Sequence, residues 1–244
     1  MAHCKPTCTE SGYDNLGSGG GGGGSAFTTM DLSAGTKVDP NGLLDSGNST
    51  LGTTSTIAVN TGAQGLWDSG LDGLGFFFDL GALPALAQNN SGIVLRLKFD
   101  TTSYTSGSWR IALGMSANAG AAAWTSGGFM GGMLLGNSNA RRDPIGGSGS
   151  TGTNLSGNTG RLIDTYLQFN PAGTGQTGPE IRGILTTVTD AAKANSAQVG
   201  AATNPSASLA GNGYAVFGIG NTSSSAVCNF TGIEASYQLI PRQP

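Results

Sequence analysis

The sequence has little charge. Its 244 residues include 11 Lys+Arg and 14 Asp+Glu, a net of -3, where an ordinary soluble domain has about a quarter of its residues charged. Without a basic excess the chain lacks the electrostatic footprint of a phosphate-backbone binder, which argues against nucleic acid as a partner. Its one histidine is His3, so chemistry that needs an imidazole inside a folded core has no residue to use. Three cysteines, Cys4 and Cys8 close together and Cys228 far away, are too few and too scattered for a disulfide framework. No apolar run approaches the ~20 residues of a membrane helix, and the first residues lack the apolar h-region of a signal peptide. Membrane insertion is not expected, and no motif implies a cofactor.

What the chain has in abundance is glycine, 43 residues of it. Six are consecutive, Gly19 to Gly24, after a segment with no apolar periodicity. Such a tract is a flexible coil, and it reads as a tether between the tip that holds Cys4 and Cys8 and everything after it. From Ser25 to about Ser55 the text is turn chemistry, with Asp39-Pro40-Asn41-Gly42 and Asp45-Ser46-Gly47-Asn48 as its clearest words. Residues 1–52 are therefore expected to form an extended arm and docking segment, and residues 53–244 a folded domain.

Within that domain short apolar runs alternate with period 2 between clusters of Gly, Asn, Ser and Pro, the pattern of half-buried strands. Strands are expected over 53–60, 75–80, 92–100, 108–115, 129–136, 161–169, 180–188, 214–220 and 227–240. In the clearest of them Ile93, Leu95, Leu97 and Phe99 share one face, and Val94, Arg96 and Lys98 the other. Trp109, Ile111 and Leu113 repeat the pattern, as do Ile233, Ala235, Tyr237 and Leu239. Helical periodicity is confined to the alanines of 189–198. Many short strands without alternating helices predict an all-β fold, an antiparallel jelly-roll-like β-sandwich preceded by the Gly-rich amino-terminal arm. The stretches 116–128 and 137–160 read as long loops.

Few motifs carry chemistry. His3, Cys4 and Cys8 are soft ligands, but a tetrahedral site wants a fourth. Asp68, Asp72, Gly73 and Asp79 fall at positions 1, 5, 6 and 12 of a calcium-loop pattern, yet Gly70 occupies position 3 and Asp-Gly is ordinary hairpin chemistry, so the turn reading is preferred. Arg141-Arg142 is the one adjacent basic pair, suited to an internal salt bridge or to an acidic contact in an assembly or a ligand. Trp109 belongs to an inward strand face. Trp124, among small residues at 121–127, is the better candidate for stacking on a sugar ring. Glycoside hydrolysis needs two facing carboxyl groups; Glu180 and Glu234 are the candidates, with no spacing that makes them face.

The arm, the tether, the charge-poor strands and the closing run Phe230-Thr231-Gly232-Ile233-Glu234-Ala235-Ser236-Tyr237-Gln238-Leu239-Ile240 together resemble bacteriophage virion structural proteins of the capsid-decoration, head-fibre and tail-fibre type. That resemblance implies a jelly-roll or concanavalin-like sandwich with no enzymatic role, attached to other virion proteins by its arm (Cys4, Cys8, Gly19 to Gly24). It implies a homo-oligomer, a trimer in such proteins, assembled in the host cytoplasm and carried on the extracellular particle. The alternatives are a lectin-like module reading host surface glycans through Trp124, and a glycan-degrading enzyme.

Overall fold

The computed structural model describes residues 26–65, 73–82, 92–104, 109–116, 118–120, 129–136, 140–143, 149–151, 161–169, 181–189, 211–221 and 228–240. Every regular element among them is a strand: β1 (Thr28–Met30), β2 (Thr36–Val38), β3 (Ser55–Ala58), β4 (Leu74–Ala82), β5 (Gly92–Tyr104), β6 (Trp109–Ser116), β7 (Phe129–Gly136), β8 (Ala140–Asp143), β9 (Gly149–Thr151), β10 (Arg161–Phe169), β11 (Ile181–Thr189), β12 (Asn212–Asn221) and β13 (Cys228–Ile240). Among the described residues no helix is long and apolar enough to cross a membrane. The expected alanine-rich helix at 189–198 lies almost wholly outside them.

The strands form two antiparallel sheets. One has six strands in the order β1-β13-β5-β10-β11, with β3 also paired to β13; the other has seven, in the order β2-β4-β12-β6-β7-β8-β9. The expected all-β antiparallel sandwich is what the chain forms. Alternation is the cause. Ile93, Leu95, Leu97 and Phe99 of β5 all lie at 0–1% exposure, and they meet Ile111, Leu113 and Met115 of β6 and Ala215, Phe217 and Ile219 of β12 in one core. Phe76 stacks on its register partner Phe217 at 6.1 Å between ring centres, and Phe99 meets Phe230 edge to face at 6.1 Å. Each such side chain stabilises the fold by roughly 1.5–3 kcal/mol when fully buried.

Two expectations need correction. The sandwich begins well before residue 53: β1 pairs with β13 and β2 with β4, one in each sheet. Met30, Leu32, Leu43 and Leu44 of the same stretch enter the core. The turn chemistry was legible there, but isolated apolar residues between turns show no period. Asp39 places two of them, its Oδ1 and Oδ2 accepting the Leu43 and Leu44 amides at 2.7 and 3.1 Å. The second correction concerns 137–160, expected as one loop, which contains β8 and β9. Ala140-Arg141-Arg142-Asp143 has no apolar alternation, and its strand exists because β7 and β9 pair with it on either side.

Candidate functional site

The core uses one face of the seven-stranded sheet, and the other face is apolar as well at its centre. Phe77 of β4, Val216 of β12 and Ala112 of β6 are 0–1% exposed and form a second cluster, with Val38, Ala119 and Tyr214 packed against it. Because side chains alternate along a strand, Phe77 and Val216 lie on the face opposite Phe76 and Phe217. They are direct register partners, and the row continues through Gly114 of β6 to Gly132 of β7. The next row runs Gly75, Gly218, Ala112, Leu134. The first row thus passes from the large Phe77 and Val216 to two glycines, and the second is small as far as Ala112.

A polar rim borders this floor where Asp79, Tyr214 and Ser116 are in register. Both Asp79 carboxylate oxygens accept the Asn212 side-chain amide, at 3.1 and 2.9 Å, and Oδ1 also accepts the Gly81 amide at 2.8 Å. The buried Ser116 hydroxyl donates to the Asn118 carbonyl at 2.8 Å and accepts the Asn118 amide at 3.1 Å. Asn118 Oδ1 then accepts the Gly120 amide at 2.7 Å. A carboxylate, carboxamides and the half-buried Tyr214 ring therefore share one end of the face, a set that can hydrogen-bond hydroxyl groups and present an aromatic surface.

Of the residues singled out from sequence, Asp79 is at this rim; Asp68, Asp72 and Trp124 lie outside the described residues, as do Cys4, Cys8, Gly19, Gly24 and Glu180. Arg141 and Arg142 are in β8, not in a loop. Arg141 falls in the register row of Leu134 and Ala112, and Arg142 in that of Met133 and Leu113, so the strand splits the pair between two rows. Glu234 is on the outer face of the six-stranded sheet, 3.4 Å from Lys98. Near it Arg96 lies over the Phe27 ring at 4.4 Å. Among the described residues no group of three or more His, Cys, Asp or Glu could hold a metal ion.

Two other described carboxylates, Asp31 and Asp45, work in turns. Asp31 Oδ1 accepts both the Ser33 hydroxyl (2.6 Å) and the Ser33 amide (2.9 Å), and these bonds hold its carboxyl below the usual range. Asp45 accepts the Asn48 side-chain amide at 2.7 Å, which lowers its pKa in the same way, helped by the Gly47 and Asn48 backbone amides. Sequence reasoning missed the second apolar cluster. Its signal was present in Phe76-Phe77-Phe78 and Ala215-Val216-Phe217, consecutive apolar residues that fill both faces of a strand.

No protein-family model matches the sequence, and no curated protein matches it. Solved structures similar in shape include a functionally unknown protein from Saccharomyces cerevisiae, 13% identical, with 88% of this chain and 100% of that one covered and a TM-score of 0.48. Peanut lectin, crystallised with a nine-residue peptide, is 10% identical over 89% of this chain and 100% of its own, with a TM-score of 0.46. A carbohydrate esterase from the Shiga toxin-encoding bacteriophage phi24B is 9% identical, with 89% of this chain and 88% of that chain covered and a TM-score of 0.40.

Proposed function

We propose that this protein is a non-enzymatic structural component of a bacteriophage particle, attached by its amino-terminal segment and exposing the β-sandwich. The observation that carries the reading is where the tether joins the fold. The glycine tract ends at Gly24, and four residues later the chain enters β1, which lies at the rim of the six-stranded sheet. The tract is thus followed, within a few residues, by a strand at the edge of the sheet. With residues 26–52 built into the sheets, the docking segment is residues 1–25.

The low charge supports the same reading. Small uncharged residues pack subunit against subunit without burying charges whose desolvation must be offset pair by pair. Five of the described carboxylates have structural partners, which is in keeping with that role: Asp31, Asp39 and Asp45 hold turns, Asp79 accepts from Asn212, and Glu234 is paired with Lys98. The test is attachment of the full chain and of residues 26–244 to particles that lack the protein. The full chain is expected to bind and the shortened chain to fail; equal binding overturns the docking role.

A second reading, glycan binding, is favoured by the Asp79, Asn212 and Tyr214 rim. Host-surface glycans presented on an array are expected to bind the full chain, and Tyr214→Ala to lose that binding. A blank array with the unsubstituted protein removes this reading.

A further inference from the structure

The sequence holds two Asn-Gly pairs, Asn41-Gly42 and Asn212-Gly213. In such a pair the backbone nitrogen after the asparagine has no side chain beside it to obstruct attack on the carboxamide, so the two are chemically alike until the fold separates them. Asn41 and Gly42 are both exposed, in a turn where the Gly42 amide donates to the Asp39 carbonyl across a long 3.4 Å. Gly42 has a φ of 65°, and nothing lies within 4 Å of the place its Cβ would take. Asn212 is held instead. Its side-chain amide donates to both Asp79 oxygens at 3.1 and 2.9 Å, and Gly213 is buried in the ladder of β12 with β4, opposite Gly81.

We propose that Asn41 is a site of spontaneous modification by water, which converts it to aspartate and isoaspartate through a cyclic imide, and that Asp79 and the strand ladder protect Asn212 from the same reaction. The Gly42 nitrogen gives up its proton and bonds to Asn41 Cγ; the bond from Cγ to Nδ2 breaks, and ammonia leaves with that proton. Water then opens the ring. Attack at Cγ leaves aspartate with the chain on its ordinary path, and attack at the main-chain carbonyl leaves isoaspartate, with the chain routed through Cγ and longer by one methylene. Nothing is oxidised or reduced.

The place of Asn41 gives the change a structural consequence. Asp39 accepts the Leu43 and Leu44 amides, and the Asn60 side chain donates to the Gly42 and Leu44 carbonyls at 2.8 and 3.1 Å, while its backbone amide donates to the Leu43 carbonyl at 2.7 Å. Residue 41 is thus enclosed by bonds that set Leu43 and Leu44 into the core. An added methylene moves those groups out of phase with their partners. Aspartate leaves the chain path unchanged and adds only a charge at an exposed position, so isoaspartate is the destabilising product.

The experiment is peptide mapping by mass spectrometry of the full chain aged at mildly alkaline pH, folded and in urea, with chromatography to separate isoaspartate from aspartate. In the folded chain the Asn41 peptide is expected to exchange its amide for an acid, and the Asn212 peptide to do so roughly tenfold or more slower, because its bonds must open first. In urea the two should convert at similar rates. Equal rates in the folded chain, or a faster Asn212, overturn the proposal, as does an Asn41 that converts only in urea. Asp79→Ala is expected to speed conversion at Asn212 and leave that at Asn41 as it was; an unchanged Asn212 rate overturns the part given to Asp79. The isoaspartate form of the aged chain is expected to unfold at lower urea than Asn41→Asp, and Asn41→Gln to keep its midpoint on ageing. Equal midpoints for the isoaspartate form and Asn41→Asp overturn the structural consequence. Failure here leaves particle attachment untouched, because that is read from residues 1–25.

Discussion

The buried side chain of Asn221 holds Gly65 at the end of β12. Its Oδ1 accepts the Gly65 amide at 2.9 Å, its Nδ2 donates to the Ala63 carbonyl at 2.8 Å, and its own amide donates to the Gly65 carbonyl at 2.7 Å. Asn221 is 0% exposed, so these bonds satisfy groups that water does not reach. Asn221→Ala leaves the Gly65 amide and the Ala63 carbonyl without their partner, each at a cost of about 1–3 kcal/mol. Urea unfolding is expected to show a loss of roughly 2–4 kcal/mol; a loss within measurement error contradicts the clamp.

Gly232 sets the phase of the last strand. Phe230 and Ile233 are three residues apart, an odd spacing that normally puts side chains on opposite faces, yet both are in the core at 0% and 1% exposure. The register of β13 against β5 shifts between Thr231 and Glu234, and Gly232 has a φ of 59° there. A Cβ at 232 meets only Asp100 Oδ2, at 3.7 Å, so space is adequate and conformation is the difficulty. Gly232→Ala is expected to cost about 1–2 kcal/mol and Gly232→Asn less, since Asn visits the left-handed region more readily. Equal losses in thermal unfolding contradict this account.

Gly35 differs in kind. A Cβ there would be 2.8 Å from the Phe78 ring, which packs against the core. Gly35→Ala is expected to displace the ring and to destabilise by about 1–3 kcal/mol, the usual range for overpacking. Pairing it with Phe78→Leu relieves the contact, so a double-mutant cycle should give a favourable coupling; strict additivity of the two losses rules the contact out.

Acid should loosen the turns of the 26–52 stretch first. The Asp31 and Asp45 carboxyls have pKa values below the ordinary 3.8 in the folded chain, so the unfolded chain binds more protons just below that value. Their contribution to stability is complete above 3.8 and is lost as pH falls through the lowered values. Denaturation midpoints are expected to be flat down to about pH 4 and to fall below it. The fall should be smaller in Asp45→Asn, and an identical profile would separate the turn from acid sensitivity.

Glu234 is expected to matter little. Its pair with Lys98 has side chains 49% and 55% exposed, and exposed pairs contribute about 0–1 kcal/mol. Glu234→Gln should change stability by no more than that and leave particle attachment intact. Release of sugar from host polysaccharide that stops with this substitution would instead establish the hydrolase alternative.

Legibility in the sequence followed the strength of the alternation. β7 and β10 have the bounds that their patterns predict, 129–136 and 161–169, because each run ends on residues that change both polarity and turn propensity. β1, β2, β8 and β9 escaped detection because three or four residues cannot display a period. Their existence depends on neighbours that come from distant parts of the chain. The Asp79 rim was half legible. Asp79 was singled out, but for a calcium-like spacing with Asp68 and Asp72, whereas the described bonds tie it to Asn212, 133 residues away.

By itself the sequence determined an all-β chain and the inward faces of β5, β6 and β13, because side-chain alternation is a local property. Only the tertiary structure decided that residues 26–52 contribute strands to both sheets and that the seven-stranded sheet is apolar on two faces at its centre. Those features arise from pairings between distant segments. The residues concerned are individually ordinary, and their role is set by the strand that comes to lie beside them.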